Sequence, residues 1–429
     1  VIEVFQNMVN VQLPYGDSLL KVDIPQLDTD GILTETVISG LKHPEEAIRS
    51  SLENPLGCQG LRSLLGGDDK VVIITTDNTR PCPDDIIVPE ILEVLSGIIS
   101  RENITVIIGL GLHPPLNREQ LVKKLGKNIV DRFNVINHDP AETINIGETS
   151  RGVPVEINKR VAEADFRIST GFIEPHFFAG FSGGRKSIAP AVSSARSIRS
   201  NHSYRMLEHP RARAGILKNN PVHEDMVEQA RMARLDFIVN VTLNSEGEIT
   251  HVFSGDPVIA HETGCEKARE NSQISVDRLF DITLITNGGS PLDLDLYQTC
   301  KGIDTAAQIT REGGIIIMAA ACDQGIGPEE FRTLHTSSMS PEDVLAELSR
   351  SSSQAEGVSW QNQLLARAQL NHEIFIYSEL DDNEVKPLMM TPIRSVEEGL
   401  KQAFSLLGSD ARLGVVPRGP LALPVLKRD

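Results

Sequence analysis

The 429-residue chain sets 41 Lys and Arg against 59 Asp and Glu, for a formal charge of -18. Its basic residues are scattered, which argues against a nucleic-acid stripe or an anionic-membrane face. No apolar run reaches bilayer length and no basic-then-apolar leader opens the sequence, so a cytoplasmic protein is expected.

The length accommodates two domains, each with its own core. Cys58, Cys82, Cys265, Cys300 and Cys322 are widely spaced and odd in number, which fits reduced thiols better than a disulfide framework.

Residues 11–22 alternate around a Pro14–Asp17 turn as a hairpin, and 34–41 and 45–52 carry helical patterns. Residues 70–76 are a continuous apolar run of the buried parallel-strand type, ending in Asp77-Asn78-Thr79-Arg80-Pro81. A helix over 83–99 follows, then a strand over 104–109 running into Gly109-Leu110-Gly111-Leu112-His113, a helix over 117–125 and a strand over 134–137. Three β-to-α units in a row indicate a doubly wound parallel sheet, with Asp77, Arg80 and His113 brought to one edge by the strand ends.

The stretch from Gly171 to His202 concentrates His176, Phe177, Phe178, Ser182, Gly183, Gly184, Arg185, Lys186 and His202 between and beyond two prolines, Pro175 and Pro190. It reads as a loop. Consecutive glycines let backbone N–H groups approach an anion closely, so the Ser182-Gly183-Gly184 turn is expected to receive a phosphate, with Ser193 or Ser194 capping the helix that follows.

Beyond it, the patterns predict a helix over 221–234, a strand over 236–242, a helix over 258–271 and a domain boundary near 275. A fresh strand over 281–286 runs into Asn287-Gly288-Gly289, followed by helices over 292–302 and 305–311 and a strand over 314–321. Helices over 341–349, 360–370 and 396–407 and strands over 374–377 and 413–416 complete the series. The expected fold is α/β with two domains, each a mostly parallel sheet flanked by helices, and an active site in the cleft between them. The division expected is 1–275, holding the cofactor anchor, and 276–409, contributing substrate-side residues, with 410–429 a candidate to return to the first domain.

His113 and His176 each adjoin a proline in a turn, which holds an imidazole at a strand end. Two such groups facing one substrate would give a base on each side, the requirement of a racemase. His138, His209, His223, His251 and His261 are read as structural. Arg80 and Lys301, one from each half, suit a carboxylate, although Asp77 and Asp84 are also ion-pair candidates for Arg80. The histidines do not spell a structural zinc site, and one imidazole on a metal held mostly by another group stays open.

Taken together, Asp77-Asn78-Thr79-Arg80-Pro81, Gly109–His113, the run from Glu174-Pro175-His176 to Arg185-Lys186, Asn201-His202 and Leu296-Tyr297-Gln298-Thr299-Cys300-Lys301 resemble the lactate racemase family of nickel-pincer nucleotide enzymes. The resemblance implies a pyridinium dithio mononucleotide carrying nickel, tethered to Lys186, with His202 as the protein ligand of the nickel. It implies His113 and His176 as the acid/base pair and Arg80, Tyr297, Gln298 and Lys301 at the substrate. Asp77, Ser182, Gly183, Gly184, Arg185 and Trp360 are assigned to the cofactor. The implied reaction interconverts D- and L-lactate by reversible hydride transfer through a 2-keto acid, after loading by cofactor-maturation proteins.

Other 2-hydroxy acids, such as malate, longer hydroxy acids or sugar acids, are the alternative substrates. From other classes, a non-catalytic nucleotide- or carboxylate-binding protein and a zinc hydrolase using His113, His176 and His202 compete. The sequence leaves the oligomeric state open.

Overall fold

The structure, a computed structural model, describes residues 7–26, 31–34, 36–351 and 360–427. These fall into two compact units, one comprising 37–202 and 209–271 and the other the described parts of 1–36, 203–208 and 272–429.

The first unit is built on a six-stranded sheet in the order Ile249–Gly255, Phe237–Leu243, Phe166–Phe172, Val71–Thr76, Ile104–Gly109, Asn134–Asn137. All neighbours are parallel except the Ile249–Gly255 edge. Val71 and Ile73 face the helix Asp84–Leu95, while Val72 and Ile74 face Ile157, Ile188 and Ile238. Both faces are covered, which is why the run 71–76 is apolar throughout instead of alternating. From Val71–Thr76 the chain moves outward on one side through Ile104–Gly109, and Phe166–Phe172 returns on the other. The carboxyl ends of Val71–Thr76 and Phe166–Phe172 therefore flank a topological switch point, where α/β sheets open a crevice.

The second unit holds a five-stranded, all-parallel sheet in the order Thr391–Pro392, Glu373–Tyr377, Thr310–Ala319, Phe280–Thr286, Leu413–Val416. Its helix Leu296–Ala307 buries Cys300 and Ile303 against Ile316 and Met318. On the opposite face Leu400 and Phe404 meet Ile282, Leu284, Ile317 and the hairpin residues Leu13, Val22 and Ile24.

The two-domain α/β architecture with mostly parallel sheets is as expected, and its division differs in detail. The hairpin Met8–Tyr15/Ser18–Pro25 and the closing strand both belong to the second unit. Their apolar sides are drawn there by Ile282 and Ile317, a contact that sequence order does not reveal.

Several elements also differ. In 34–41, of which 35 lies outside the described residues, there is no helix. Thr34, Thr36, Val37 and Ile38 are β-branched and stiff at χ1 and Gly40 follows, so helical spacing there lacked helical propensity. Instead of helices over 292–302 and 305–311 there is one, Leu296–Ala307, started by Asp295, whose side chain accepts from the Gln298 N–H at 2.7 Å. The central strand Phe166–Phe172, the edge strand Ile249–Gly255 and the hairpin Thr143–Glu148/Pro154–Asn158 were not anticipated.

Among the described residues, no helix is long and apolar enough to cross a membrane.

Candidate active site

At the carboxyl end of Val71–Thr76 the chain turns through Asp77, and at the end of the adjacent Ile104–Gly109 it turns through Gly111 to His113. Gly111 takes φ +58° and donates its N–H to Ala191 O at 2.9 Å, which ties the His113 turn to the segment following Lys186. Asp77 Oδ2 lies 2.8 Å from His113 Nδ1. Burial raises the Asp77 pKa, but the hydrogen bonds from His113 and Thr79 and the Arg80 charge outweigh it and hold the carboxyl at about 2. A carboxylate on Nδ1 fixes the proton there, which leaves the Nε2 lone pair of the half-exposed His113 ring as the basic nitrogen. Arg80 sits on the same turn with its side chain exposed, its N–H donating to Asp77 O at 3.3 Å. Of its two candidate ion-pair partners, Asp84 instead binds Lys124, at 3.0 Å.

The second group follows Phe166–Phe172. His176 stands in a two-residue ladder with Gly180, and its Nδ1 accepts from the Ala179 N–H at 3.3 Å. Its Nε2 lies 3.2 Å from Lys186 Nζ. The Lys186 ammonium is 5.8 Å from the centre of the Phe178 ring, and that ring meets His202 edge-on at 4.8 Å. His202 is buried at the C-cap of the short helix Ala195–Asn201, which Ser194 caps at the other end through the Ser197 N–H. Burial, reinforced by the Lys186 charge, pushes the His202 imidazole down to about 3.

The Ser-Gly-Gly turn departs from expectation. Its donors are engaged inward: the Gly184 N–H donates to Asn240 Oδ1 at 2.7 Å, and Ser182 Oγ donates to Phe172 O at 3.0 Å. Arg185 is buried, and its guanidinium donates to Gly183 O (3.1 Å) and Ala179 O (2.6 Å) and lies 2.8 Å from His261 Nε2. The glycines are required for a different reason. At Gly183, φ is +76° and a Cβ would fall 2.7 Å from Asn240 Oδ1. Ser182, Gly183, Gly184 and Arg185 thus form a packed staple that sets the backbone before Lys186, and the Gly184 N–H, already on Asn240, is not offered to a phosphate.

In the second unit, Asn287 at the end of Phe280–Thr286 accepts from the Gly302 N–H at 3.0 Å and donates to Gln298 O at 3.3 Å. It fixes the first turns of the helix Leu296–Ala307. On that helix Lys301 Nζ donates to Gln298 Oε1 at 2.6 Å, and the Tyr297 ring meets Phe331 edge-on at 5.5 Å. Trp360 opens the helix Trp360–Gln369, in which Gln361, Asn362 and Gln363 are buried.

The structure therefore gathers Asp77, Arg80 and His113 into one group, His176, Lys186 and His202 into a second, and Tyr297, Gln298 and Lys301 into a third. Among the described residues, no three His, Cys, Asp or Glu side chains assemble as a metal site. The zinc hydrolase reading, which needs three converging histidines, has no such cluster behind it. A metal bound mainly by another group would find in His202 a neutral imidazole, the form that ligates. Sequence reasoning missed Asn240 and Lys124, and it named Asp84 as an ion-pair partner only for Arg80. For Lys124 the signal was its position beside Leu125 and three residues after Leu121, which puts a lysine on the apolar stripe of a helix.

Residues 15–215 match the lactate racemase N-terminal domain and residues 276–423 the lactate racemase C-terminal domain. A lactate racemase of Thermoanaerobacterium thermosaccharolyticum is 38% identical over 96% of this chain and 98% of its own length. One of Lactiplantibacillus plantarum is 36% identical over 96% and 99%. The lactate racemase apoprotein of T. thermosaccharolyticum superposes with a TM-score of 0.92 at 36% identity, covering 97% of this chain and 100% of that one. A Thermotoga maritima protein shares the fold at 17% identity and a TM-score of 0.67, over 92% of this chain and 100% of its own. With both domain matches in chain order and relatives this similar over nearly the full length, the chain belongs to the lactate racemase family.

Proposed function

We propose that this chain is a racemase that interconverts D- and L-lactate. The observation carrying the proposal is the opposite way in which the two imidazoles are held: His113 has a carboxylate at Nδ1, whereas His176 has a backbone N–H donor there. Neutral His113 is therefore protonated at Nδ1 and offers a basic Nε2, while His176 Nε2 lies 3.2 Å from the Lys186 ammonium, a group with donors and no acceptor. His113 is set to take the hydroxyl proton of a 2-hydroxy acid and become an imidazolium; His176 returns a proton on the other face from its own imidazolium form, becoming neutral, and reversing the reaction exchanges those parts.

Arg80 is suited to two-point contact with the substrate carboxylate, and Lys301 with Gln298 to the polar end of the acid. Lys186 is the residue to tether a nickel-pincer nucleotide and His202 the one to meet its metal. Bound there, that group would supply reversible acceptance of the α-hydrogen as hydride, through a 2-keto acid. Asp77 acts by orienting His113, and Phe178 shields Lys186 and His202 from water. Trp360 is kept as a residue near the cofactor. All five cysteines are free thiols, which supports a reducing, cytoplasmic setting where maturation proteins load the cofactor.

The test is a chirality assay on protein produced with its maturation partners, across lactate, malate, a longer hydroxy acid and a sugar acid. Lactate should reach a 1:1 mixture, and Lys186→Ala should lack both activity and the covalent mass increment. Loaded protein that leaves every acid unchanged would point to the binding-protein reading. Turnover of another acid in preference to lactate would revise the substrate alone.

A further inference from the structure

Beneath the turn bearing Asp77 and Arg80 lies an ion pair with no part in the scheme above. Asp84 is fully buried, the Lys124 side chain is 7% exposed, and their charged atoms are 3.0 Å apart. Taking both ions out of water is costly, and replacing such pairs by apolar side chains is often neutral or favourable for stability. Stability alone is therefore a weak account of the pair, and its hydrogen bonds give a better one.

Lys124 Nζ has three donors, and all three have acceptors: Asp84 Oδ2, Cys82 O at 2.9 Å and Arg80 O at 3.2 Å. Two of them are carbonyls of the turn itself. Asp84 binds the turn's flanks: Oδ2 accepts from Thr76 Oγ at 2.8 Å, the last residue before Asp77, and Oδ1 accepts from Thr170 Oγ of the neighbouring strand and from Cys82 Sγ at 3.6 Å. Between these anchors Asn78, Thr79 and Arg80 are exposed and belong to no helix or strand. The pair thus grips the backbone at the carbonyls of Arg80 and Cys82, where the exposed segment ends, and holds the residue before the turn through the Thr76 hydroxyl.

We propose that Lys124 is a positioning residue: locked to Asp84, it fixes the 77–83 turn so that Arg80 meets the substrate carboxylate and Asp77 stays on Nδ1 of His113. The proposal rests on the racemase reading for the part played by Arg80, and not for the link from the turn to His113.

The experiment uses the full chain, loaded with cofactor for kinetics, in three forms: wild type, Lys124→Met, and the double variant Lys124→Met/Asp84→Asn. The double variant leaves no unpaired charge buried, so it keeps the brace testable where Lys124→Met alone fails to fold. KM for the hydroxy acid is expected to rise by about tenfold or more, with kcat changed less, because a misplaced Arg80 weakens substrate binding. Nitrogen-15 NMR of histidine-labelled protein, with the His113 signal identified from His113→Gln, should show the Nδ1-protonated tautomer giving way to a mixture.

A merely structural Lys124 would lower the melting temperature and leave the KM-to-kcat balance and the His113 tautomer as in wild type. That outcome in a folded variant overturns the proposal. Wild-type protein that turns over no hydroxy acid would defeat the racemase reading, and the His113 signal would still decide whether the brace holds the dyad.

Discussion

Asp77 and His113 meet at 2.8 Å although 36 residues separate them, because each ends one of two adjacent parallel strands. The carboxylate does more than hold the ring: by accepting from Nδ1 it decides which nitrogen is basic. Asp77→Asn keeps the shape but presents an amide that can donate to Nδ1, and so favours the wrong tautomer. The loaded variant is expected to lose roughly 10²- to 10⁴-fold in kcat, with a smaller change in KM. Initial rates from both lactate enantiomers check this, and a rate within threefold of wild type would remove His113 from the reaction.

The same pair makes stability depend on pH in a defined direction. Asp77 titrates at about 2 in the folded chain against 3.8 for the unperturbed group, so the unfolded chain binds the proton more readily. The stabilisation is fully present above about pH 4 and is lost as pH falls toward 2, amounting to roughly 2 kcal/mol. Urea unfolding of wild type and Asp77→Asn between pH 6 and pH 2.5 should show two stabilities that converge in that window. A gap that stayed constant throughout would mean the carboxylate carries no such linkage.

Much of the scaffold behind this pair was legible because period and composition agree: 70–76 and 104–109 are apolar on both faces, and only buried parallel strands need that. The residues gathered at the strand ends were legible for the same reason. What was not legible depended on partners distant in sequence. Gly183 and Gly184 look like an anion cradle until Asn240 is found on the Gly184 N–H, and Arg185, assigned to the cofactor from the resemblance, is seen to spend its donors on carbonyls. Asp84 suits the first turn of its helix by charge alone, which hides its bond to Lys124.

Arg185 gives a sharp test of that reassignment. Its guanidinium is buried with carbonyls and His261 for company, and burial pushes its pKa down to about 10. A planar fork satisfies several acceptors at once, whereas an ammonium in the same volume reaches fewer. Arg185→Met should destabilise the chain by roughly 3 kcal/mol through acceptors left unpaired, with Arg185→Lys recovering less than half. The readout is urea unfolding of cofactor-free protein. A phosphate ligand that owed nothing to the fold would instead leave unfolding unchanged.

Gly184 is the position where backbone and packing demands coincide. Its φ is +55°, and an added Cβ would lie 2.6 Å from Cγ and 2.7 Å from Cδ2 of His261. That ring has little room to yield, since its Nε2 is held 2.9 Å from Ser182 O and 2.8 Å from Arg185 Nη1. Gly97 offers the matched control: φ is +77°, and nothing lies within 4 Å of its would-be Cβ. Gly97→Ala should cost about 1 kcal/mol, the left-handed backbone alone. Gly184→Ala adds the overpacking term and should cost about 2–4 kcal/mol. It should also slow attachment of cofactor at Lys186, because relief of the clash shifts the backbone two residues before the tether. Equal unfolding midpoints for the two variants, with attachment seen by intact mass at the wild-type rate, would mean that the turn tolerates a side chain and that His261 does not hold it.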